Sequence, residues 1–273
     1  MNVPARINLL GGWSDQACWP YPGAVVNAAV GWNDPAWEHS PYPLHYDGER
    51  WASCVSGVGT GLGISSIRVA ASYLRYAPEC ARTREDAIEW AVRHERESGV
   101  QGGWQDAAGA LYPGGKLIAT EDHRTFQVTD MTAHPVWQHI VLFDTGIRRE
   151  SRLIGDSVRR LIEGEPDMEF IRRLRETVVM ATLAPTDTAA SLIEHAVDMW
   201  DFWCEWVPAM HVDVPFVADT VGYMLCGAGG GGFGLYFTHT PEDRARVIKY
   251  LRSVGLQAWE PVLLPGIEGE PHG

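Results

Sequence analysis

Four glycines stand in a row at Gly229-Gly230-Gly231-Gly232, two residues after Gly227, inside an otherwise apolar, strand-like context. Tyr223-Met224-Leu225 precede them and Phe233-Gly234-Leu235-Tyr236-Phe237 follow. Glycine loses more backbone entropy on folding than any other residue, so such a run is unfavourable unless something needs the bare backbone. A hairpin or β-bulge needs fewer. The density therefore points to a chain that approaches a ligand, or another loop, very closely.

The other glycine loop runs from Gly57 to Gly63, with Gly59, Gly61 and Gly63 at every second position and Ile64-Ser65-Ser66 next. The apolar spacing from Ser65 to Tyr76 predicts a helix. Uncovered N–H groups on Gly59, Thr60, Gly61, Leu62 and Gly63, next to the positive end of that helix, make a cradle for an anion such as a nucleotide's phosphates. The hydroxyls of Ser65 and Ser66 can cap the helix, touch a phosphate oxygen or ligate Mg²⁺. No Gly-Lys-Ser/Thr follows the glycines, so this is not a Walker A loop, and the spacing differs from G-x-G-x-x-G.

Two further segments carry chemistry. Gly102-Gly103-Trp104-Gln105-Asp106 holds an aspartate in glycine-rich backbone. Beside a phosphate loop it can accept a hydroxyl proton or orient an attacking oxygen; alternatively it caps a turn. Glu95, or else Glu97, near the end of a helix predicted over Thr83 to Glu97, can ligate a divalent ion. In Arg6-Ile7-Asn8-Leu9-Leu10-Gly11-Gly12-Trp13-Ser14-Asp15, Arg6 and Asn8 share one face of a predicted strand. Asp15 can grip two hydroxyls of a polyol, and Arg6 can hold a carboxylate or steady a phosphoryl group.

Charge limits the partners. The 35 acidic residues outnumber the 22 basic ones, the formal charge is -13, and the lysines are Lys116 and Lys249 alone. With no basic patch to release counterions, nucleic acid and anionic membrane surfaces are poor partners. Any phosphate must be held by backbone N–H groups, a helix end, Mg²⁺ and a few arginines. The five cysteines lack C-x-x-C spacing and no histidines form H-x-x-x-H, so neither a disulfide framework nor a zinc site is expected. No apolar run is long enough to span a membrane, and no signal peptide is expected near Pro4-Ala5-Arg6. A cytoplasmic protein with reduced thiols is the expectation.

The chain reads as α+β in two halves, 1–150 and 151–273, with no repeated β-α-β units of a doubly wound sheet. Strands are predicted over Arg6 to Leu10, Ala24 to Val30, Trp51 to Ser56, Thr125 to Val128, His139 to Phe143 and Gln257 to Glu260. Long helices are predicted over Arg152 to Ile162, Asp167 to Ala181, Thr188 to Val207 and Pro241 to Val254. Trp200, Trp203 and Trp206 recur at helical spacing, as expected of core or a homodimer face. The tail from Pro265 is expected to fray.

Taken together, these segments resemble the GHMP kinase superfamily (galacto-, homoserine, mevalonate and phosphomevalonate kinases). The nearest likeness is to the L-fucose kinase and D-glycero-D-manno-heptose 7-phosphate kinase branch. P-A-R-I-N-L-L-G-G-W-S-D resembles the first motif, G-T-G-L-G-I-S-S the phosphate loop, and G-G-W-Q-D-A-A-G-A the segment bearing the catalytic aspartate. V-L-F-D-T-G-I-R-R and L-C-G-A-G-G-G-G-F resemble the later ones, in the expected order. The resemblance implies an N-terminal domain like domain 2 of ribosomal protein S5 and a ferredoxin-like C-terminal domain. It implies ATP and Mg²⁺, with a phosphoryl group passing to a hydroxyl of a sugar or sugar phosphate, the anomeric one first. By that likeness Asp106 is the base and Arg6 lies beside the transferred group. Ser66 (or Ser65) and Glu95 are the metal ligands. Gly59 to Ser66 and Gly229, Gly230 and Gly231 bind nucleotide phosphates, while Gly12, Trp13, Asp15 and Gly229 face the acceptor. Departures from the branch pattern, such as Ser56-Gly57-Val58 before the loop and Gln16-Ala17-Cys18 after Asp15, leave a non-sugar alcohol open. An ATP-dependent decarboxylase and a non-catalytic binding module are the other readings of the scaffold.

Overall fold

The apolar run Gly23–Trp32 becomes the central strand β3, buried along its whole length. Such a strand needs cover on both faces, and its alternation divides it. Val25 packs with Ala70, Ala87, Ala107 and Leu111 in one cluster. Ala24, Val26, Ala28 and Val30 belong to the main core with Phe170 and Leu174. The computed structural model describes residues 1–16, 18–55, 59–79, 83–99, 102–148 and 151–267. Residues 56–58, which precede Gly59 in the sequence of the first glycine loop, and 268–273 of the tail lie outside these.

Around β3 the chain builds a five-stranded sheet. β2 (Ala5–Leu10) and β6 (Gly115–Thr120) flank it, β7 (Gln127–Asp130) pairs with β6, and β12 (Pro261–Leu263) pairs with residues 30–32 of β3. β1 (Asn2–Val3), β4 (Leu44–Tyr46) and β5 (Trp51–Ser53) form a small sheet of their own. The four-stranded sheet runs β11 (Gln257–Trp259), β8 (Ile140–Asp144), β10 (Phe233–Thr238), β9 (Thr220–Leu225). All recorded pairings are antiparallel. Two strands cross residue 150 in sequence terms: β8 joins the later sheet and β12 the earlier one.

Helices α1 (Ile64–Tyr76), α2 (Arg84–Glu97) and α3 (Gln105–Leu111) share the Val25 side. α4 (Ser151–Arg159) continues into a π-helical turn, Arg160–Gly164; then come α5 (Met168–Leu183), α6 (Ala189–Trp206) and α7 (Asp243–Ser253). Three starts are capped as helix chemistry requires. Thr83 accepts from Asp86 N, Asp167 from Glu169 N and Phe170 N, and Thr188 from Ser191 N. The tryptophan stripe of α6 is core: Trp200 and Trp203 are buried, and Trp203 lies 5.2 Å from Phe170, ring to ring. The strand-like residues on either side of the glycine run become β9 and β10, joined by the glycines, and α3, β6 and β12 are elements the sequence pattern did not mark.

Candidate active site

The two glycine loops meet. Phe233 N donates to Thr60 O at 2.8 Å, and a Cβ on Gly232 would sit 2.5 Å from that same carbonyl oxygen. Gly61 likewise has no room for a Cβ, because the Cys226 carbonyl fills the space. The bare backbone of the second cluster thus serves contact with the first. Gly63, at φ +73°, ends the loop and opens α1 without a capping side chain and without an acidic residue in the first turn. The first-turn N–H groups of a helix have no intrahelical partner, so this end is a ready anion site.

Behind that loop stand three carboxylates and one arginine. Arg6, on β2, is buried; its Nε donates to Asp106 Oδ1 at 2.7 Å and its second guanidinium arm bonds the same oxygen. Burial is the largest single influence and opposes the Arg6 charge, but the Asp106 charge and hydrogen bond, with smaller help from Cys226 and Asp15, together hold the guanidinium's pKa above its usual value. Asp106 itself sits in the first turn of α3 and is partly open. Asp15 is buried in the turn after β2, with Gln105 N donating to its Oδ2 at 3.3 Å. Burial, then the nearby Asp106 charge, push Asp15 up to about 7. The same two causes, in the same order, push Glu95 up to about 7, opposed by a hydrogen bond from Ser66 Oγ.

Gly102 and Gly103 are explained by these acids. A Cβ on Gly102 would overlap Glu95 Oε2, and one on Gly103 would overlap Asp15 Oδ2. The open alternatives divide geometrically: Ser66 is buried and meets Glu95, whereas Ser65 and Glu97 are exposed.

Arg6 and the three carboxylates face one cavity of about 700 Å³. Arg6, Gly12, Trp13, Asp15, Gly59, Thr60, Gly61, Gly63, Ile64, Ser65, Ser66, Glu95 and Asp106 line it, all marked by sequence reasoning. Leu62 does not; it is fully buried, and its carbonyl accepts from Arg6 N at 3.1 Å. Nor do Gly229, Gly230 and Gly231. They turn inward: Gly230 N donates to Met210 O at 2.7 Å, and a Cβ on Gly231 would lie 2.7 Å from Ile147 O. Their neighbours Gly227 and Ala228 take the lining positions, together with Gln16, His94, Gln105 and the start of α4. Arg152 and Gly155 of α4 escaped the sequence reading. The one signal was a glycine set inside a helical pattern. Trp13 adopts φ 72°, a conformation a bulky side chain rarely takes, where the chain turns into the cavity.

Four buried polar atoms on this wall have no hydrogen-bond partner among the described residues: Arg6 Nη1, Asn8 Oδ1, Asp15 Oδ1 and Gln105 Oε1. Orphaned groups cost free energy unless a ligand or water satisfies them. No three His, Cys, Asp or Glu side chains among the described residues are placed to hold a metal by themselves. Mg²⁺ does not need them, since it commonly takes one or two carboxylates plus substrate phosphates and waters.

No protein-family model matches the chain. Whole-chain comparison with solved structures decides the architecture. D-glycero-D-manno-heptose 1-phosphate kinase from Bacteriodes thetaiotaomicron superposes with a TM-score of 0.60 at 16% identity, covering 96% of this chain and 95% of that one. The fold is that of the GHMP kinases. L. major mevalonate kinase, solved in complex with R-mevalonate, matches at a TM-score of 0.59 and 14% identity over 97% of this chain and 96% of that one. Among curated proteins, the bifunctional fucokinase/GDP-fucose pyrophosphorylase of Arabidopsis thaliana is 27% identical over 212 residues. That is 71% of this chain but 20% of the plant protein, so the chain spans about a fifth of that relative's length. No helix among the described residues is long and apolar enough to cross a membrane.

Proposed function

We propose that this protein is a kinase that moves the γ-phosphoryl group of ATP onto a hydroxyl of a sugar or sugar phosphate, the anomeric hydroxyl first. One observation carries the reading: an uncapped helix start wrapped by glycine backbone shares a cavity with Asp106, Arg6 and Asp15. The GHMP kinase fold and the fucokinase and heptose kinase likenesses support it.

In this reading the N–H groups of the loop residues that line the cavity, Gly59 to Gly61 and Gly63 to Ser66, receive the nucleotide's phosphates, while Leu62 is turned into the core. Ser66 and Glu95 hold Mg²⁺, and the carboxylate that burial has pushed up regains its charge when a cation neutralises it. The ion, when bound, offsets charge on the β and γ oxygens. Asp15 and Asn8 offer their unpartnered oxygens to acceptor hydroxyls. Asp106 takes the hydroxyl proton as the acceptor oxygen bonds to the γ-phosphorus and the bond to the ADP oxygen breaks. Arg6 holds Asp106 in place and turns its free Nη1 toward the charge that develops. Gly229, Gly230 and Gly231 act indirectly, by fixing the contact between the two loops. Residues 1–150 and 151–273 form the two proposed domains, S5-like and ferredoxin-like, with β8 and β12 exchanged between them. Among the described residues the free cysteines Cys18, Cys54 and Cys204 fit a reducing, cytoplasmic setting.

The test is direct. Incubation with ATP, Mg²⁺ and a panel of sugars, sugar phosphates and small alcohols is read as ADP and product mass. Acceptor-dependent ADP with a product heavier by one phosphoryl group is the expected result. Nucleotide binding without turnover on any acceptor would leave a binding module instead.

A further inference from the structure

Asp15 and Asp106 stand on different segments, and the bond that joins those segments at the cavity, from Gln105 N to Asp15 Oδ2, is long at 3.3 Å. A second tie lies away from the cavity lining, at His123 in the turn between β6 and β7. Trp104, which is buried and precedes α3, donates its indole N–H to His123 Nδ1 at 3.1 Å. His123 Nε2 meets Tyr21 O at 2.9 Å, on the loop that leads from Asp15 into β3. An indole N–H only donates and a carbonyl oxygen only accepts. The two partners therefore fix one form of the ring: neutral, bare at Nδ1, with its proton on Nε2.

The turn is built to present this ring. His123 N donates to Thr120 Oγ1 at 2.9 Å, and Asp122 Oδ1 accepts from Arg124 N at 2.9 Å and Thr125 N at 2.7 Å. His123 has φ 59°, the left-handed region where glycine or asparagine is the easier choice. A histidine held there points to a use for its side chain. Gly23 closes the junction: a Cβ on it would lie 2.5 Å from Ser14 O and 3.3 Å from both His123 Cε1 and Trp104 Cζ2. From the other side α5 steadies the loop, with the Arg175 guanidinium 3.7 Å from the centre of the Tyr21 ring.

We propose that His123 is a positioning residue for phosphoryl transfer: in its Nε2–H form it ties the start of α3 to the Asp15 loop and so sets the gap between Asp106 and Asp15 that the acceptor hydroxyl enters. This rests on the kinase reading above. α3 starts without a side-chain cap, so the held indole of Trp104 anchors its first turn, and Asp106 lies in that turn. A shift there of about an ångström is enough to cost turnover while the phosphate loop stays as it is.

Three readouts test it together: kinetics on the acceptor that the wild type phosphorylates best, Tm, and the indole N–H signals in a proton–nitrogen NMR spectrum. Trp104→Phe identifies the Trp104 signal by its loss. His123→Gly suits the backbone and removes both bonds. It should lower kcat roughly ten-fold and leave KM for ATP within about two-fold, with Tm within about 3 °C of wild type and the Trp104 signal moved to its unbonded position. His123→Asn also suits the backbone, and its Oδ1 takes the place of Nδ1. The Trp104 signal should then stay, and part of kcat should return. Trp104→Phe removes the same N–H, so kcat should fall as in His123→Gly, and the double variant should fall little further. Normal kcat in His123→Gly overturns the proposal. So does a loss that His123→Asn restores in no part, or one that adds fully to that of Trp104→Phe. Should His123→Gly melt far below the wild type, Trp104→Phe and His123→Asn decide by the same kcat criteria. No phosphorylated product from the wild type on any acceptor overturns the kinase reading, and this one with it.

Discussion

At the residue scale the site is a small set of acids held close together against their own charge. Asp106→Asn keeps an oxygen for Arg6 but removes the proton acceptor, so turnover should fall by roughly 10²-fold or more with nucleotide binding retained. Near-normal turnover would remove Asp106 from that role. Asp15 gives a pH prediction with a definite sign. Its pKa is raised from 3.8 to about 7, so the folded protein holds this proton at a pH where the unfolded chain has lost it. The stability it contributes is full below the unfolded value and is lost as pH rises through about 7. Asp15→Asn should therefore raise the Tm of the free protein at pH 8 and leave it nearly unchanged at pH 4, while weakening acceptor binding. A Tm gain of equal size at both pH values would contradict the assignment. These acids were legible in the sequence because each sits beside diagnostic glycines, at Gly11-Gly12 or Gly102-Gly103. Arg152 was not, since only the fold brings the start of α4 to the cavity.

At the element scale the glycine loops and α3 act as mounts. Gly232 has φ +75° and faces the Thr60 carbonyl, so Gly232→Ala combines a left-handed alanine with a backbone overlap. A loss of about 2 kcal/mol or more is expected in denaturant unfolding, together with weaker nucleotide binding. α3 is tied at its far end by Lys116, which is fully buried and donates to Gly109 O at 2.6 Å and Gly114 O at 3.0 Å. Burial pushes this amine well below its usual range. Lys116→Met should cost about 1–3 kcal/mol for the Gly109 carbonyl left unpaired, Gly114 O keeping its bond from Ala29 N, and should lower kcat more than it raises KM for ATP, because Asp106 rides on α3. Periodicity found α1, α2, α5, α6 and α7 because each is long enough to show a face. It missed α3, seven residues with no side-chain cap, and β6, whose buried lysine disguises a core strand.

At the scale of the whole molecule, the halves are laced together by single strands. Ile140, Val141, Leu142 and Phe143 of β8 are fully buried, yet the partners of β8 are β10 and β11 from the later half. A fragment ending at residue 150 should expose that strand and fail to give a cooperative melt, whereas co-expression with 151–273 should restore one. A soluble, cooperatively melting 1–150 fragment would show that β8 needs no partner. Such exchanges are invisible to composition, because a strand's hydrophobic run does not say which sheet receives it. The burial of Lys116 has a practical side as well. With Lys249 exposed on α7 and away from the cavity, an amine-directed label has one accessible lysine to find and the α-amino group as its competitor, so a fluorophore or surface tether can be attached without touching the phosphate loop.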